Sequence, residues 1–183
     1  LAPPLALAPP LALAPPLAPR ELSSEKDTSL VIDWLRFVRP THIILNECDT
    51  SIIELISSLD FNTITDLDIS FSCYTDDILY KILKKNPNIH TLCMNDTLCV
   101  NDIGAITSNI FYTIKGLLKN LQELNINRTN PFDNSLYEFI LEHDNFKVLF
   151  LDDQNITDGI LKQIIEKFTK LEYLSLNNCI NIT

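Results

Sequence analysis

The sequence predicts an α/β repeat solenoid, with a parallel concave sheet of about six short strands and helices on the convex side. Two observations predict it. Apolar residues that end short strand patterns recur at intervals of 24, 25, 32, 25 and 25 residues, and a helical pattern follows most of them. Such a period is typical of units that bury their apolar faces against neighbouring units. The recurring residues are Leu45, Ile69, Met94, Ile126, Leu151 and Leu176.

The strand patterns alternate apolar and polar residues. In the run Leu121-x-x-Leu124-x-Ile126, Leu124 and Ile126 are expected to point into the core, because side chains alternate between the two faces of a strand. Asn125 and Asn127 then point to solvent. We therefore expect Leu149→Ala, in the same pattern, to cost ~2–5 kcal/mol of stability as a core cavity. Asn127→Ala is expected to be almost neutral for folding.

Amphipathic patterns predict the helices. In the fifth unit, residues 160, 161, 164, 165 and 168 are all apolar and share one helical face. Residues that favour helix N-caps precede the predicted helices. They are Thr75-Asp76, Asn101-Asp102, Asp133-Asn134 and Thr157-Asp158. Each unit is therefore predicted to run strand, turn, helix.

These units resemble leucine-rich repeats, in particular the cysteine-containing, RNI-like subclass found in F-box/LRR proteins. The subclass reads roughly L-x-x-L-x-L-x-x-C-x-x-[I/L]-T-D. Residues 171–183, with Cys179 and Ile182-Thr183, and residues 146–158 match it best, and the resemblance covers about residues 40–183. The cysteine position is also filled by Cys48, and elsewhere by Ser72, Thr97, Thr129 and Gln154.

The resemblance implies a function as well as a fold. It implies a noncatalytic protein–protein recognition module, similar to the substrate-binding repeats of an F-box ubiquitin-ligase receptor. A Skp1-type adaptor would then be a further partner, if an F-box lies outside this chain, since residues 1–39 contain no F-box motif. The alternative is a structural or scaffolding leucine-rich-repeat protein unrelated to ubiquitin.

Composition divides the chain into three parts. Residues 1–20 form a proline-rich low-complexity tail, built from three copies of Leu-Ala-Pro-Pro-Leu-Ala, which predicts polyproline II or disorder. An SH3-type ligand in this tail is an alternative to a passive one. Residues 21–39 are a linker and an N-terminal capping helix, in which Trp34 is expected to be a core residue. Residues 40–183 are the repeats, expected to be incomplete at the C-terminus, because the chain stops after a strand.

The third interval, of 32 residues, is longer than the others by about two helical turns. A longer helix through Ile103, Ile106, Ile110 and Ile114 would keep its apolar face in phase. We interpret the extra residues as an insertion on the convex side, with a second contact site as the alternative.

No residue pattern indicates catalysis. The three histidines lie in different units, and none of the three glycines belongs to a phosphate-binding loop. The five cysteines have no C-x-x-C spacing, so neither a metal nor a cofactor is expected. Their placement favours free thiols in a reducing compartment, the cytoplasm or the nucleus. An extracellular adhesion repeat, the third alternative, would need paired disulfides.

Charge and hydropathy argue against two kinds of partner. The formal net charge of −10 repels phosphate backbones, so nucleic-acid binding is not expected. No uninterrupted apolar stretch reaches the ~18–20 residues of a membrane span, so membrane insertion is not expected either.

The solvent face of the predicted sheet is the candidate site for a protein partner. One outward column reads Ile44, Asp68, Cys93, Asn125, Phe150 and Ser175, and its neighbour reads Asn46, Ser70, Asn95, Asn127, Asp152 and Asn177. Short polar side chains with both donors and acceptors suit recognition, and Phe150 is the expected apolar anchor. The alternative is that the asparagines form a ladder on an unoccupied face. The hypothesis assigns partner binding to Asn46, Asp68, Ser70, Asn95, Asn125, Asn127, Phe150, Asp152, Ser175 and Asn177.

Overall fold

Strands and helices alternate along the chain. The computed structural model describes residues 25–60, 62–97, 106–129 and 132–183, with the backbone alone for residues 25–31. The helices in these ranges are α1 (Glu25–Val38), α2 (Thr50–Ser58), α3 (Asp76–Lys85), α4 (Asn109–Thr113), α5 (Asn134–Glu142) and α6 (Asp158–Lys167). The strands are β1 (His42–Ile44), β2 (Asp66–Asp68), β3 (Thr91–Cys93), β4 (Glu123–Asn125), β5 (Val148–Phe150) and β6 (Tyr173–Ser175). The predictions for residues 1–20 lie outside the described residues.

The strands form one parallel sheet in the order β1-β2-β3-β4-β5-β6. All five pairs are in the same register, so the central residues of the strands stand side by side. Neighbouring strands lie about 4.8 Å apart, whereas packed helices need about 8–10 Å. The helical side is therefore longer than the sheet side, and the sheet becomes the concave side. The fold predicted from the sequence is confirmed.

The core lies between the sheet and the helices. The central strand residues Leu67, Leu92, Leu124 and Leu149 are at most 1 % exposed. The apolar residues that follow the strands at positions 69, 94, 126 and 151 are equally buried. At the last strand, Leu174 is only partly buried. The residues predicted to point inward are therefore confirmed for these four strands.

The N-cap predictions hold where the structure describes them. The side chains of Thr75 and Thr157 accept from the backbone N–H three residues on, and Asp133 accepts from that of Ser135. Asp49, which was not predicted, caps α2 in the same way through Ile52. The predicted cap at Asn101-Asp102 lies outside the described residues.

Each strand is followed by a turn with one residue in the left-handed region. The φ values of these residues lie between 49° and 65°, although none of them is glycine. The left-handed conformation costs an ordinary L-residue roughly 1–2 kcal/mol. The turns are held in place because most of these residues donate their N–H to a carbonyl of the next repeat, as Phe71 does to Asn95 over 2.7 Å. The six residues are Glu47, Phe71, Asp96, Arg128, Asp153 and Asn178.

The cysteine position of the repeat is a buried hydrogen-bonding position. Ser72 donates its hydroxyl to the carbonyl of Leu45 in the preceding repeat over 2.6 Å and accepts from the N–H of Cys48 over 2.9 Å. Cys179 donates its thiol to the carbonyl of Leu151 in the same way, over 3.3 Å. A hydroxyl and a thiol therefore serve the same purpose, which is to tie one repeat to the next.

Helix α1 differs from its prediction. Leu35 is buried, as expected for a residue that covers the first repeat, but Trp34 is 57 % exposed and Phe37 is 89 % exposed. The expectation that Trp34 is a core residue is therefore wrong. The apolar face of α1 is wider than the part of the first repeat that it contacts. Trp34 lines an open groove of about 370 Å³ beside the edge of the sheet, with Ile44 and Ile56 among its other lining residues.

In the described part of the long third interval, residues 94–97 and 106–126, the helix is short. Helix α4 spans five residues, and the chain leaves it through Gly116, which has a φ of 76°. A glycine with positive φ ends a helix readily, because it pays no Cβ penalty there. Ile106, Ile110 and Ile114 are buried as predicted, while Ile103 lies outside the described residues.

The cysteines differ in state. Cys48, Cys93 and Cys179 carry free thiols, whereas Cys73 is disulfide-bonded. The expectation of free thiols is therefore wrong at Cys73. Disulfides persist mainly in oxidising compartments, so the bond at Cys73 does not support the prediction of a cytoplasmic or nuclear localisation. That localisation stays a prediction.

Candidate functional site

The concave face carries three columns of outward residues. The first column consists of the first residue of each strand, and the second of the last residue of each strand. The third column lies two residues further on, where the chain has left the sheet. We call the first two columns the recognition face. Its residues are His42, Asp66, Thr91, Glu123, Val148 and Tyr173, followed by Ile44, Asp68, Cys93, Asn125, Phe150 and Ser175.

The third column is a structural ladder. Ser70 accepts from the N–H of Asn95 over 3.1 Å, and Asn127 accepts from the N–H of Asp152 over 2.9 Å. Asp152 in turn accepts from the N–H of Asn177 over 2.8 Å. Each of these side chains satisfies a backbone donor of the following repeat, so it holds adjacent repeats in register. The ladder is therefore built from serine, asparagine and aspartate side chains, and whether a partner occupies the face stays open.

Two residues assigned to partner binding are not accessible. Ser70 is 2 % exposed and Ser175 is 8 % exposed. The hydroxyl of Ser175 donates to the carboxylate of Asp152, within the ladder. Short hydroxyl side chains are drawn into the turn by these bonds, so both residues support the site without lining it.

The remaining predicted residues fall into two groups. Asp68 and Asn125 lie on the recognition face, and each also accepts from a backbone N–H two residues on, that of Ser70 or Asn127. Asn46, Asn95 and Asn177 stand beside the recognition face in the third column, and Asn46 and Asn177 are exposed. The structure therefore divides the predicted set into residues that line the recognition face and residues that hold its shape.

Carboxylates occupy β2 and β4 of the recognition face, on either side of β3. Nε2 of His42 lies 3.0 Å from a carboxylate oxygen of Asp66, which also accepts from the hydroxyl of Thr65 over 2.6 Å. Burial of Asp66 raises its pKa, but the hydrogen bonds from Thr65 and Thr91 and the two nearby histidines outweigh it, so the pKa lies below its ordinary value. Asp66 is therefore ionised at neutral pH.

The carboxylates act on one another. Burial and, after it, the charge of Asp66 raise the pKa of Glu123 on β4. Burial, together with Asp68, Glu123 and Asp66, raises the pKa of the Cys93 thiol to about 12. The negative potential is thus centred on β3, between the carboxylates of β2 and β4. Because the thiol of Cys93 stays protonated at neutral pH, it is a poor nucleophile.

Aromatic rings occupy the C-terminal half of the recognition face. Phe150 on β5 lies against Tyr173 on β6, with ring centroids 4.8 Å apart and planes inclined at 40°. Phe150 is partly buried by this contact, while Tyr173 is 51 % exposed. The apolar anchor expected at Phe150 is therefore a pair of rings, and Tyr173 is its more accessible member.

The first column was missed in the sequence. Glu123 and Tyr173 stand two residues before Asn125 and Ser175, so strict alternation places them on the same face. Alternation therefore predicts the first column. The consensus L-x-x-L-x-L was used only for the residues that follow the central inward residue of each strand, so the residue before it was not assigned. Counting backwards from the outward residue of each strand would have found the column.

The recognition face combines ionised, amide and aromatic side chains. The described residues contain no group of three or more side chains placed to hold a metal ion. The face offers carboxylates, amides and aromatic rings on adjacent strands, and of these the aromatic rings are the side chains enriched at protein interfaces. Across the described part of the chain, no helix combines the length and apolar character needed to cross a bilayer.

This geometry places the chain in the structural class of leucine-rich-repeat solenoids. No family model matches the sequence, and no curated protein matches it at a significant level. Among solved structures, the chain is similar to one described as "Leiomodin-1 Actin-Binding Site 2 (ABS2)", with a TM-score of 0.55 and 14% identity. The match covers 80% of this chain and 89% of that chain. Identity this low shows a shared fold alone.

Proposed function

We propose that this chain is a noncatalytic protein-recognition module whose recognition face contacts the partner. One observation carries the proposal. Exposed aromatic and charged side chains meet on the outward face of the sheet, whose backbone is held rigid by the ladder beside it. Aromatic side chains supply large contact areas and dominate interface energies, so a fixed aromatic pair is a suitable anchor.

A finer proposal concerns the class of module. The likeness of residues 171–183 to the cysteine-containing repeats supports a substrate-binding role within an F-box ubiquitin-ligase receptor. In that case a Skp1-type adaptor would bind an F-box outside this chain. The likeness rests on the cysteine position of the repeat, which Cys179 fills in the last unit and Ser72 in an earlier one. Each of these two side chains donates to a carbonyl of the preceding repeat. The alternative proposal is a scaffolding repeat protein unrelated to ubiquitin.

A photo-crosslinking experiment tests the recognition face. Benzoylphenylalanine is placed in the full chain at Val148, on the recognition face, or at Lys162, which is exposed on α6. Both variants are illuminated in an extract of the source cells, and the products are identified by mass spectrometry. We expect discrete products from Val148 that the Lys162 variant does not form.

The same experiment separates the alternatives. Products from Lys162 alone would place recognition on the convex side and contradict the proposal. A Skp1-type adaptor co-purifying with a longer form of the chain would support the ubiquitin-ligase role. Since the matched structure is an actin-binding site, purified actin is included as one defined candidate partner.

A further inference from the structure

The recognition face is chemically divided along the axis of the solenoid. Strands β2 and β4 carry the carboxylates of Asp66, Asp68 and Glu123, and none of the twelve residues of the face is lysine or arginine. The only basic side chain on the face is His42, which is paired with Asp66 at 3.0 Å. The C-terminal half contains the rings of Phe150 and Tyr173. An occupant must therefore match a negative region and an apolar region.

The two regions lie at a defined separation. The negative potential is centred on β3, and the aromatic pair spans β5 and β6. Because adjacent strands are about 4.8 Å apart, this separation of two to three strands corresponds to roughly 10–14 Å. An extended peptide advances about 3.3 Å per residue, so the distance corresponds to three or four residues of an extended chain.

We propose that the recognition face binds an extended segment of a partner protein that carries an arginine or lysine three or four residues from a large apolar residue. The basic side chain lies over β3, between the carboxylates of β2 and β4, and the apolar side chain packs on Tyr173 and Phe150. Either chain direction satisfies the spacing. The inference rests on the proposed function, because it names the chemistry of the partner that the recognition face takes.

Charge complementarity supports this occupant over others. Three carboxylates stand against two nearby histidines, His42 on the face and His90 beside Asp66, and no lysine or arginine is on the face. The chain as a whole carries a formal charge of −10, with histidine counted as neutral. Partial burial raises the pKa of Glu123, so its charge is incompletely hydrated in the free protein. An arginine placed there replaces the lost hydration with charge-assisted hydrogen bonds. An acidic or purely apolar segment would offer no cation to Glu123. Asp66, by contrast, is already paired with His42, and Asp68 already accepts from a backbone N–H.

Selection from a random library tests the proposal. Twelve-residue random peptides displayed on phage are selected against the full chain, and the enriched peptides are sequenced. The binding of synthetic copies is then measured by fluorescence anisotropy against the parent chain and four variants. The variants are Glu123→Lys, Glu123→Gln, Tyr173→Ala and, as a matched charge change off the face, Glu54→Lys on the exposed side of α2.

The expected result has three parts. Enriched peptides share a basic residue three or four positions from a large apolar residue. Glu123→Lys and Tyr173→Ala each weaken their binding about tenfold or more, whereas Glu54→Lys leaves it within about twofold. Binding weakens with added salt, because the exposed part of the charge interaction is screened. Glu123→Gln, which removes a partly desolvated charge and is expected to fold at least as well as the parent, weakens binding by less than Glu123→Lys.

Other results would overturn the proposal in distinguishable ways. If Tyr173→Ala weakens the binding of the enriched peptides but these peptides carry no enriched basic residue, the proposed basic residue of the partner is refuted. Binding at the recognition face is not contradicted by that result. Peptides whose binding ignores both Glu123 and Tyr173 would refute the recognition face as well. A selection that enriches no peptide counts against an extended segment as the occupant.

Discussion

At the residue scale, Asn127 of the third column acts in folding. Asparagine was expected to serve a partner because its side chain points away from the core. The structure instead shows Asn127 accepting from the backbone N–H of Asp152. A sequence pattern identifies which face a side chain is on, but it does not show which backbone donor lies within reach. The sequence therefore allowed both roles for the third column, partner binding and a ladder, and could not decide between them.

Removal of this hydrogen bond gives the first prediction. Asn127→Ala should lower the free energy of unfolding by about 1 kcal/mol, because the N–H of Asp152 loses its partner. The expectation of an almost neutral substitution is revised accordingly. Urea denaturation followed by circular dichroism measures the change. Asn46→Ala is the matched control, since the side chain of Asn46 is exposed and makes no hydrogen bond to the described residues. Equal stability of the two variants would contradict the ladder.

The left-handed turns give a second prediction at this scale. The backbone of Phe71 is strained, because its φ is 58°. Its ring is 52 % exposed, so replacing the ring removes little buried apolar surface. Asparagine tolerates this conformation. Phe71→Asn should therefore raise the free energy of unfolding by about 1 kcal/mol. Tyr112→Asn, at an exposed aromatic residue within α4, should not. A loss of stability on Phe71→Asn would show that the ring contributes more than the turn costs.

At the scale of single elements, the position after each turn links successive repeats. Ser72→Ala should cost about 1–3 kcal/mol, because the N–H of Cys48 and the carbonyl of Leu45 both lose their partner. Ser72→Cys should cost less, since Cys179 makes the equivalent bond with a thiol. Thermal unfolding of the two variants measures the difference. If both lose the same stability, hydrogen bonding is not what this position contributes.

The strands show what the sequence predicts well. Burial of alternate residues is encoded in the residues themselves, so the positions of all six strands could be predicted, and the inward leucines with them. Leu149→Ala should cost ~2–5 kcal/mol, because the cavity cannot collapse between two packed repeats. Val148→Ala, one residue away on the opposite face, should cost much less. Equal losses, measured by urea denaturation, would show that the register of β5 is wrong.

Helix α1 shows what the sequence predicts poorly. An apolar helical face implies that burial is favourable, but it does not reveal whether a neighbour is wide enough to cover it. Leu35 is covered by the first repeat, and Trp34 is not. The short α4 has a different cause. The helix ends at Thr113, and Gly116 with its positive φ turns the chain just beyond it, although the apolar pattern would allow a longer helix.

At the scale of the whole molecule, the charge of Glu123 on the recognition face lowers the stability of the fold at neutral pH. The pKa of Glu123 is raised in the folded chain, first by burial and then by Asp66. The native state therefore holds this proton more tightly than the unfolded state, whose glutamate titrates near the ordinary value of 4.5. Below that pH the penalty is absent, and it develops as the pH rises through the raised value of the folded state.

Replacement of Glu123 should reveal this penalty. Glu123→Gln is expected to increase stability at pH 7, and the gain should vanish near pH 4, where the parent side chain is protonated. Urea midpoints measured at both values test this, with Glu54→Gln as the exposed control. A gain that is the same at both pH values would mean that charge is not its cause.

The in-register sheet has a mechanical consequence. Each strand packs on its neighbours in sequence, and so does each helix. Strands β2 and β6 are therefore connected only through the repeats between them. Such a stack can fray from either end while its middle stays closed. A segment lying from β2 to β6 would clamp five repeats at once and suppress that fraying. Amide hydrogen exchange would then slow along the whole sheet when a ligand binds, well beyond the residues that it touches.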